Sequence, residues 1–387
     1  MNASIVFRSY SCELWFRLRV AIFCLVLCLP LVAVLSPPLR TWLDSRKPDF
    51  PDWSWRIGEI RRYPPKIEAQ FNAALPWRAR VAALSRSFYV DSLGISPIPE
   101  AVLGADGWLY YSGPVGEKLL DRHVRGRDPF SQDELQRWRR LLLDRTRHFR
   151  SIGAKYVFVI APNKESIYPE HLPSWIGPKL GPSRLDQLLA YLKSTPEVIV
   201  IDLRPSLIAD KNEASLYYRT DTHWNARGAY AAYREIARVL EPQFPRLAVR
   251  SWASFNPRMV ERRGMDIANM IGLGGESLDA GFEIDHSACA EPHPGSIAIP
   301  QALQSRLTAP VYSTRCDAPG NINAVIFYDS FGVALVPILA ESFEATTNFS
   351  ATIGKNDTVG YHMPEKLKAN LVVEIMVERS LSFAPEY

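Results

Sequence analysis

Four short apolar runs, spaced by amphipathic segments, constrain this chain more than any other feature. Lys155 to Ala161 (KYVFVIA), Val198 to Asp202 (VIVID), Ala324 to Tyr328 (AVIFY) and Leu371 to Val377 (LVVEIMV) are almost continuously apolar. Strands without polar alternation are buried on both faces, so helices must cover both sides of the sheet they form. Helices are expected between them. Ser131 and Glu134 form a capping-box pattern ahead of Leu135, Trp138, Leu141, Leu142 and Phe149, and Gly153 stops that helix before the first run. Further helices are expected over Ser183 to Lys193, Ala226 to Leu240 and Phe331 to Phe343. The alternation predicts a three-layer α/β/α domain with a mainly parallel sheet. Ala105 to Tyr111 (ADGWLYY) predicts a turn and a short aromatic strand at its start, while residues 243–320, irregular and rich in Gly and Pro, are expected to be a long insertion near the site.

The amino-terminal hundred residues belong to another regime. Val20 to Ser36 is a seventeen-residue run without a charge, close to the lower limit for a membrane-spanning helix. Arg8, Arg17 and Arg19 precede it, which predicts residues 1–19 in the cytoplasm, 20–36 as a signal anchor and the remainder across the membrane. The end of the run has no clear A-x-A cleavage site, which favours an uncleaved anchor over a signal peptide. Residues 37–100, rich in Pro, Trp and Arg, read as a stalk and lead-in with one helix over Lys66 to Leu75, leaving 101–387 as the folded domain. The 45 Lys and Arg are scattered among 41 Asp and Glu for a net charge of +4, so a nucleic-acid partner is not expected. Of the five cysteines only Cys289 and Cys316 lie in the soluble part. In an oxidising compartment they are expected to pair; under the reverse orientation they remain buried thiols.

The chemistry concentrates in two segments. Asp221-Thr222-His223 places a carboxylate and an imidazole two residues apart, just before a helix that Asn225 can cap. Ser330 follows a buried strand and precedes Gly332, at the strand end where chemistry collects in such sheets. Serine needs a base to become a nucleophile, and the base needs an orienting acceptor. Asp221, His223 and Ser330 supply all three, with backbone N–H groups of Ser330 and its neighbours aimed at a developing oxyanion. The competing assignment makes Asp221 and His223 a surface turn and Ser330 a helix cap. No H-E-x-x-H or paired-Cys pattern is present, and the group of Asp285, His286, Glu291 and His293 reads as a polar loop, so neither metal nor diffusible cofactor is expected. Gly272 to Gly275 joins no strand to a helix and is not expected to bind phosphate.

Taken in order, these segments resemble the alginate O-acetylation proteins of the AlgJ and AlgX group, whose acetyl-transfer domain is a variant of the SGNH hydrolase fold. The resemblance rests on Asp106 to Tyr110, Ala161 to Glu170 (APNKESIYPE), Thr220 to Gly228, Asp329 to Gly332, and the tail Val372 to Leu381. It implies Ser330 as nucleophile, His223 as base and Asp221 as its partner. It also implies an exopolysaccharide acceptor, and acetyl groups arriving from a membrane-bound O-acyltransferase at the inner membrane, with the soluble domain in the periplasm. Lys164 and Tyr168 are candidates for substrate contact and Trp224 for stacking on a sugar; the structural alternatives are core aromatics for the two rings and a solvated loop charge for Lys164. Where the related serine block has Gly-Asp-Ser, this chain has Tyr328 before Asp329, a bulky residue expected to crowd the oxyanion or acyl site. The same residues also allow an acetylesterase, or a polysaccharide-binding subunit without activity.

Overall fold

The computed structural model describes residues 78–113, 117–285, 293–294, 299–318, 320–353, 358–383 and 385. The chain divides into two units, Met1–Leu84 and Ser85–Tyr387, and the second holds the sheet. The expected anchor at 20–36 and the helix at 66–75 lie outside the described residues. Among the described residues no helix is long and apolar enough to cross a membrane.

Eleven strands are described. β1 (Ala101–Leu103) and β2 (Leu109–Tyr111) form an antiparallel pair. Their turn places Asp106 at φ 55° and Gly107 at φ 77°, a left-handed bend that Gly and Asp adopt more readily than most residues. The central sheet contains β3 (Lys155–Ala161), β4 (Val200–Asp202), β7 (His293–Pro294), β8 (Tyr312–Arg315), β9 (Asn323–Tyr328), β10 (Ala345–Phe349) and β11 (Leu371–Val377), in the order β4-β3-β11-β9-β10-β8-β7. The first five of that order are parallel, and β8 and β7 continue the sheet antiparallel. β5 (Arg258–Arg263) and β6 (Leu278–Glu283) make a separate hairpin enclosing the helix Asp266–Met270.

Alternate residues of each central strand feed opposite cores, which is the physical content of three layers. Val157, Val159, Ile326, Tyr328, Val373 and Ile375 pack with residues of the helices Arg204–Asp210, Ala226–Leu240 and Gly332–Ala340. Tyr156, Phe158, Ile160, Val325, Phe327 and Val372 pack with those of Gln132–Ser151, Arg184–Leu192 and Thr358–Lys366. The Ser131 box forms as the spacing requires, and Ser183 with Asp186 forms a second one. One charge lies in the middle of the sheet. Glu374 on β11 accepts from Arg145 at 2.5 Å, from the Tyr156 hydroxyl at 2.5 Å and from the Ile353 N–H at 3.0 Å, so each oxygen has a donor.

The region 243–320 is not wholly an insertion, because β7 and β8 extend the sheet from within it. Tyr-Ser-Thr-Arg in β8 lacks the apolar run that identifies an interior strand, so its place at the antiparallel end left little trace in hydropathy.

Candidate active site

β9, β11 and β3 end at one rim of the sheet, and the turn after β9 is fixed by Asp329. Its Oδ2 accepts from the Val377 N–H at 2.6 Å and its Oδ1 from the Phe331 N–H at 3.0 Å. Burial raises the Asp329 carboxyl above its ordinary range, against the pull of those two N–H groups. Asp329 therefore ties the end of β11 to the serine turn and leaves the exposed Ser330 at the crest. The N–H groups after the serine are already occupied: Gly332 donates to Asp329 O at 2.9 Å and Phe331 to the Asp329 side chain. Only the Ser330 N–H has no partner among the described residues, so the oxyanion donors expected from its neighbours reduce to this one. Tyr328 does not crowd the site either. It is buried in the core beneath the Gly332–Ala340 helix, and a Cβ at Gly332 would lie 2.4 Å from the Tyr328 Cβ. The bulky residue before the aspartate is accommodated by Gly332, two residues after the serine.

The imidazole comes from a loop folded back on itself. Tyr217 bridges to Trp224, and the Asn225 N–H donates to Leu216 O at 2.9 Å. Asn225 caps the Ala226–Leu240 helix, its side chain accepting from the Arg227 and Gly228 N–H groups. Held in this way, His223 Nδ1 lies 2.6 Å from Asp221 Oδ1, and its Nε2 lies 2.9 Å from Ser330 Oγ. Asp221 Oδ1 also accepts from the His223 N–H at 2.9 Å. Burial opposes charge on Asp221, but the hydrogen bond and charge of His223 bring it below the ordinary carboxylate range.

Asp266, at the start of the helix inside the β5–β6 hairpin, was not foreseen from the sequence. Its Oδ2 lies 3.6 Å from His223 Nδ1, it accepts from the Thr222 N–H at 2.7 Å and from the Thr222 hydroxyl, and its own N–H donates to Asp221 Oδ2 at 3.3 Å. Burial, then the neighbouring charge of Asp221, raises its pKa. The flanking sequence Arg-Gly-Met-Asp-Ile has no spacing that marks it; placement in three dimensions alone brings it here. Asp221, His223 and Asp266 present donor atoms within 4.8 Å of one another. Because Nδ1 is already engaged by Asp221, the grouping is organised as a proton network.

The three residues expected to contact substrate, Lys164, Tyr168 and Trp224, are all buried. Lys164 Nζ donates to the backbone oxygens of Tyr218 at 3.2 Å, Arg219 at 2.8 Å and Asp221 at 2.7 Å, and lies 5.6 Å and 5.4 Å from the Trp108 and Tyr110 ring centroids. It is neither solvated nor turned to a ligand; it clamps the loop that carries Asp221. Burial lowers its pKa to about 7, against the charges of Asp266, Asp221 and Asp279. Tyr168 accepts from the Leu216 N–H at 2.9 Å and stabilises the start of the same loop. Trp224 is 2% exposed and its indole donates to Phe331 O at 3.1 Å, so it joins the imidazole loop to the serine turn and offers no face to a sugar. Cys316 is buried, and Cys289 lies outside the described residues. A cavity of about 630 Å³ opens beyond the ends of β3 and β4, lined by residues such as Asn163, Glu165, Arg204 and Glu378; neither His223 nor Ser330 lines it.

Helices on both faces of a mainly parallel sheet give the chain an SGNH hydrolase-like fold. Comparison with known proteins narrows this. The family model for the SGNH hydrolase-like domain of acetyltransferase AlgX matches residues 101–287, just under half of the chain. The probable alginate O-acetylase AlgJ of Pseudomonas aeruginosa is 32% identical over 138 residues, covering 34% of this chain and 30% of that protein. Its counterpart from Pseudomonas syringae is 28% identical over 148 residues, 38% and 35% of the two chains. The matches span about a third of the length of these relatives. The structure of Bacillus cereus PatB1 with a sulfonyl adduct shares the fold, at TM-score 0.52 and 16% identity over 75% of this chain and all of the other. The matched family segment contains Asp221, His223 and Asp266 but ends before Ser330, so the serine is joined to them by geometry.

Proposed function

We propose that the protein is an O-acetyltransferase acting on hydroxyls of an alginate-like exopolysaccharide, with Ser330, His223 and Asp221 as its catalytic triad. The observation that carries this reading is the 2.9 Å contact of His223 Nε2 with Ser330 Oγ, on an imidazole whose other nitrogen is held by Asp221. His223 takes the Ser330 proton as Oγ attacks the donor carbonyl, and returns it to the departing group, leaving acetyl-Ser330. A sugar hydroxyl then attacks this ester while His223 removes its proton; the proton returns to Oγ as the acetyl group leaves. Asp221 stabilises the imidazolium in both halves, and the Ser330 N–H is the candidate donor to the oxyanion.

In this reading the Val20 to Ser36 run anchors the chain in the inner membrane, the domain faces the periplasm, and a membrane-bound O-acyltransferase supplies the acetyl group. A Cys289–Cys316 disulfide belongs to the same proposal, since that compartment is oxidising. Labelling of the wild type by a serine-directed phosphonate, with Ser330→Ala unlabelled, tests the nucleophile; an unlabelled wild type supports a binding subunit instead. His223→Ala is expected to lower acetyl transfer by at least about 100-fold while circular dichroism stays native, and near-normal turnover would refute the base assignment. A second reading, an acetylesterase, is favoured by the exposure of the site: Ser330 is exposed and the His223 side chain is 30% exposed, so water can reach the ester. Product analysis with an acetyl donor and an oligosaccharide separates transfer from hydrolysis.

A further inference from the structure

Arg379 stands two residues beyond β11, beside the serine turn, and no function described so far uses it. Its guanidinium carbon lies 5.3 Å from the Tyr111 ring centroid and 5.4 Å from that of Phe331, the residue after Ser330. The Phe331 ring in turn lies 5.0 Å from the His223 ring. Two backbone hydrogen bonds bracket the arginine, the Val377 N–H to Asp329 Oδ2 at 2.6 Å and its own N–H to Asn163 Oδ1 at 3.3 Å. Its charge acts on Glu165 and Asp329, yet among the described residues its guanidinium has neither an ion pair nor a hydrogen bond.

That separates it from other arginines at this rim. Arg184 is paired with Asp128 and Glu134, and Arg204 with Asp186 and Asp202. A guanidinium carries five donors in a planar fork that matches a carboxylate, and stacking on rings fixes its plane without using those donors. Arg379 is half-buried, oriented by two rings, and has no carboxylate partner among the described residues, so its fork is available to an incoming anion.

We infer that Arg379 is the specificity-determining residue of the acceptor site, pairing through its free guanidinium with a carboxylate on the acceptor sugar beside Ser330. The inference rests on the proposed acetyl-transfer site for its location, but its test does not depend on turnover. Binding of a uronic-acid oligosaccharide, and of the same oligosaccharide with its carboxyl groups reduced to alcohols, is measured by titration calorimetry on the full-length chain, for wild type, Arg379→Gln and Arg379→Lys. Wild type is expected to bind the acid form at least tenfold more tightly. This preference should fall to within about twofold in Arg379→Gln and be partly kept in Arg379→Lys, which retains the charge without the fork. Added salt should weaken acid binding by wild type more than neutral binding, a readout that needs no variant.

Equal binding of the two ligands by wild type overturns the inference. So does an unaltered preference in Arg379→Gln, or equal loss of both ligands, which identifies a structural countercharge to Asp329 and Glu165. Phosphonate labelling of Ser330 in the same samples keeps the two proposals apart: labelling without preference removes only the role of Arg379, and preference without labelling removes only the triad.

Discussion

Asp266 reaches His223 from a segment 43 residues downstream, and its effect is exerted through its neighbours. It fixes both polar groups of Thr222 and, through its own N–H, the second oxygen of Asp221. Asp266→Asn keeps an acceptor for Thr222 and removes the charge 3.6 Å from the imidazole. A fall in kcat of about tenfold, equivalent to about 1.4 kcal/mol, is expected with KM little changed. Activity within twofold of wild type would restrict Asp266 to starting its helix. Lys164 gives a prediction in pH. Burial lowers it to about 7, whereas a lysine in the unfolded chain titrates near about 10.4. Between these values the unfolded state holds more protons, so this residue makes stability rise with pH from about 7 to about 10. Urea midpoints of wild type and Lys164→Met at pH 7 and pH 9 should show this rise in wild type and a smaller one in the variant.

Among the elements, the serine turn depends on a fit between Tyr328 and Gly332. Gly332→Ala forces a methyl group to within 2.4 Å of the Tyr328 Cβ, and overpacking of this kind costs about 1–3 kcal/mol. A lowered melting temperature and slower phosphonate labelling are both expected, since the displaced turn carries Ser330; an unchanged melting temperature would show that the helix can shift freely. The sequence made such elements legible where local chemistry specifies them. β3 and β11 coincide with their apolar runs, and the Ser131 box and the Asn225 cap form where their spacing places them. β4 is shorter than its run and β8 has no run at all, because the ends and margins of a sheet are set by what lies alongside. The meeting of Asp221, His223 and Ser330 was anticipated from motif order. Asp266 and the inward roles of Lys164, Tyr168 and Trp224 were not, because direction and burial come from packing between segments distant in the chain.

For the domain as a whole, the buried pair of Arg145 and Glu374 joins the Gln132–Ser151 helix to the middle of the sheet. Their side chains are 3% and 2% exposed. Arg145→Met leaves the carboxylate without its countercharge and is expected to cost about 3–5 kcal/mol in chemical unfolding, far from the serine. A loss below about 1 kcal/mol would mean that water replaces the guanidinium. The sheet order carries one more consequence. β11 is the seventh of its strands to leave the ribosome, yet it lies between β3 and β9, and its Val377 N–H holds the turn that presents Ser330. Truncation before Val377 therefore removes the strand that joins β3 to β9 and the N–H that holds the Asp329 turn, leaving the serine turn tied to the imidazole loop through Trp224. The last strand of the sheet in chain order is therefore the one on which the position of Ser330 depends.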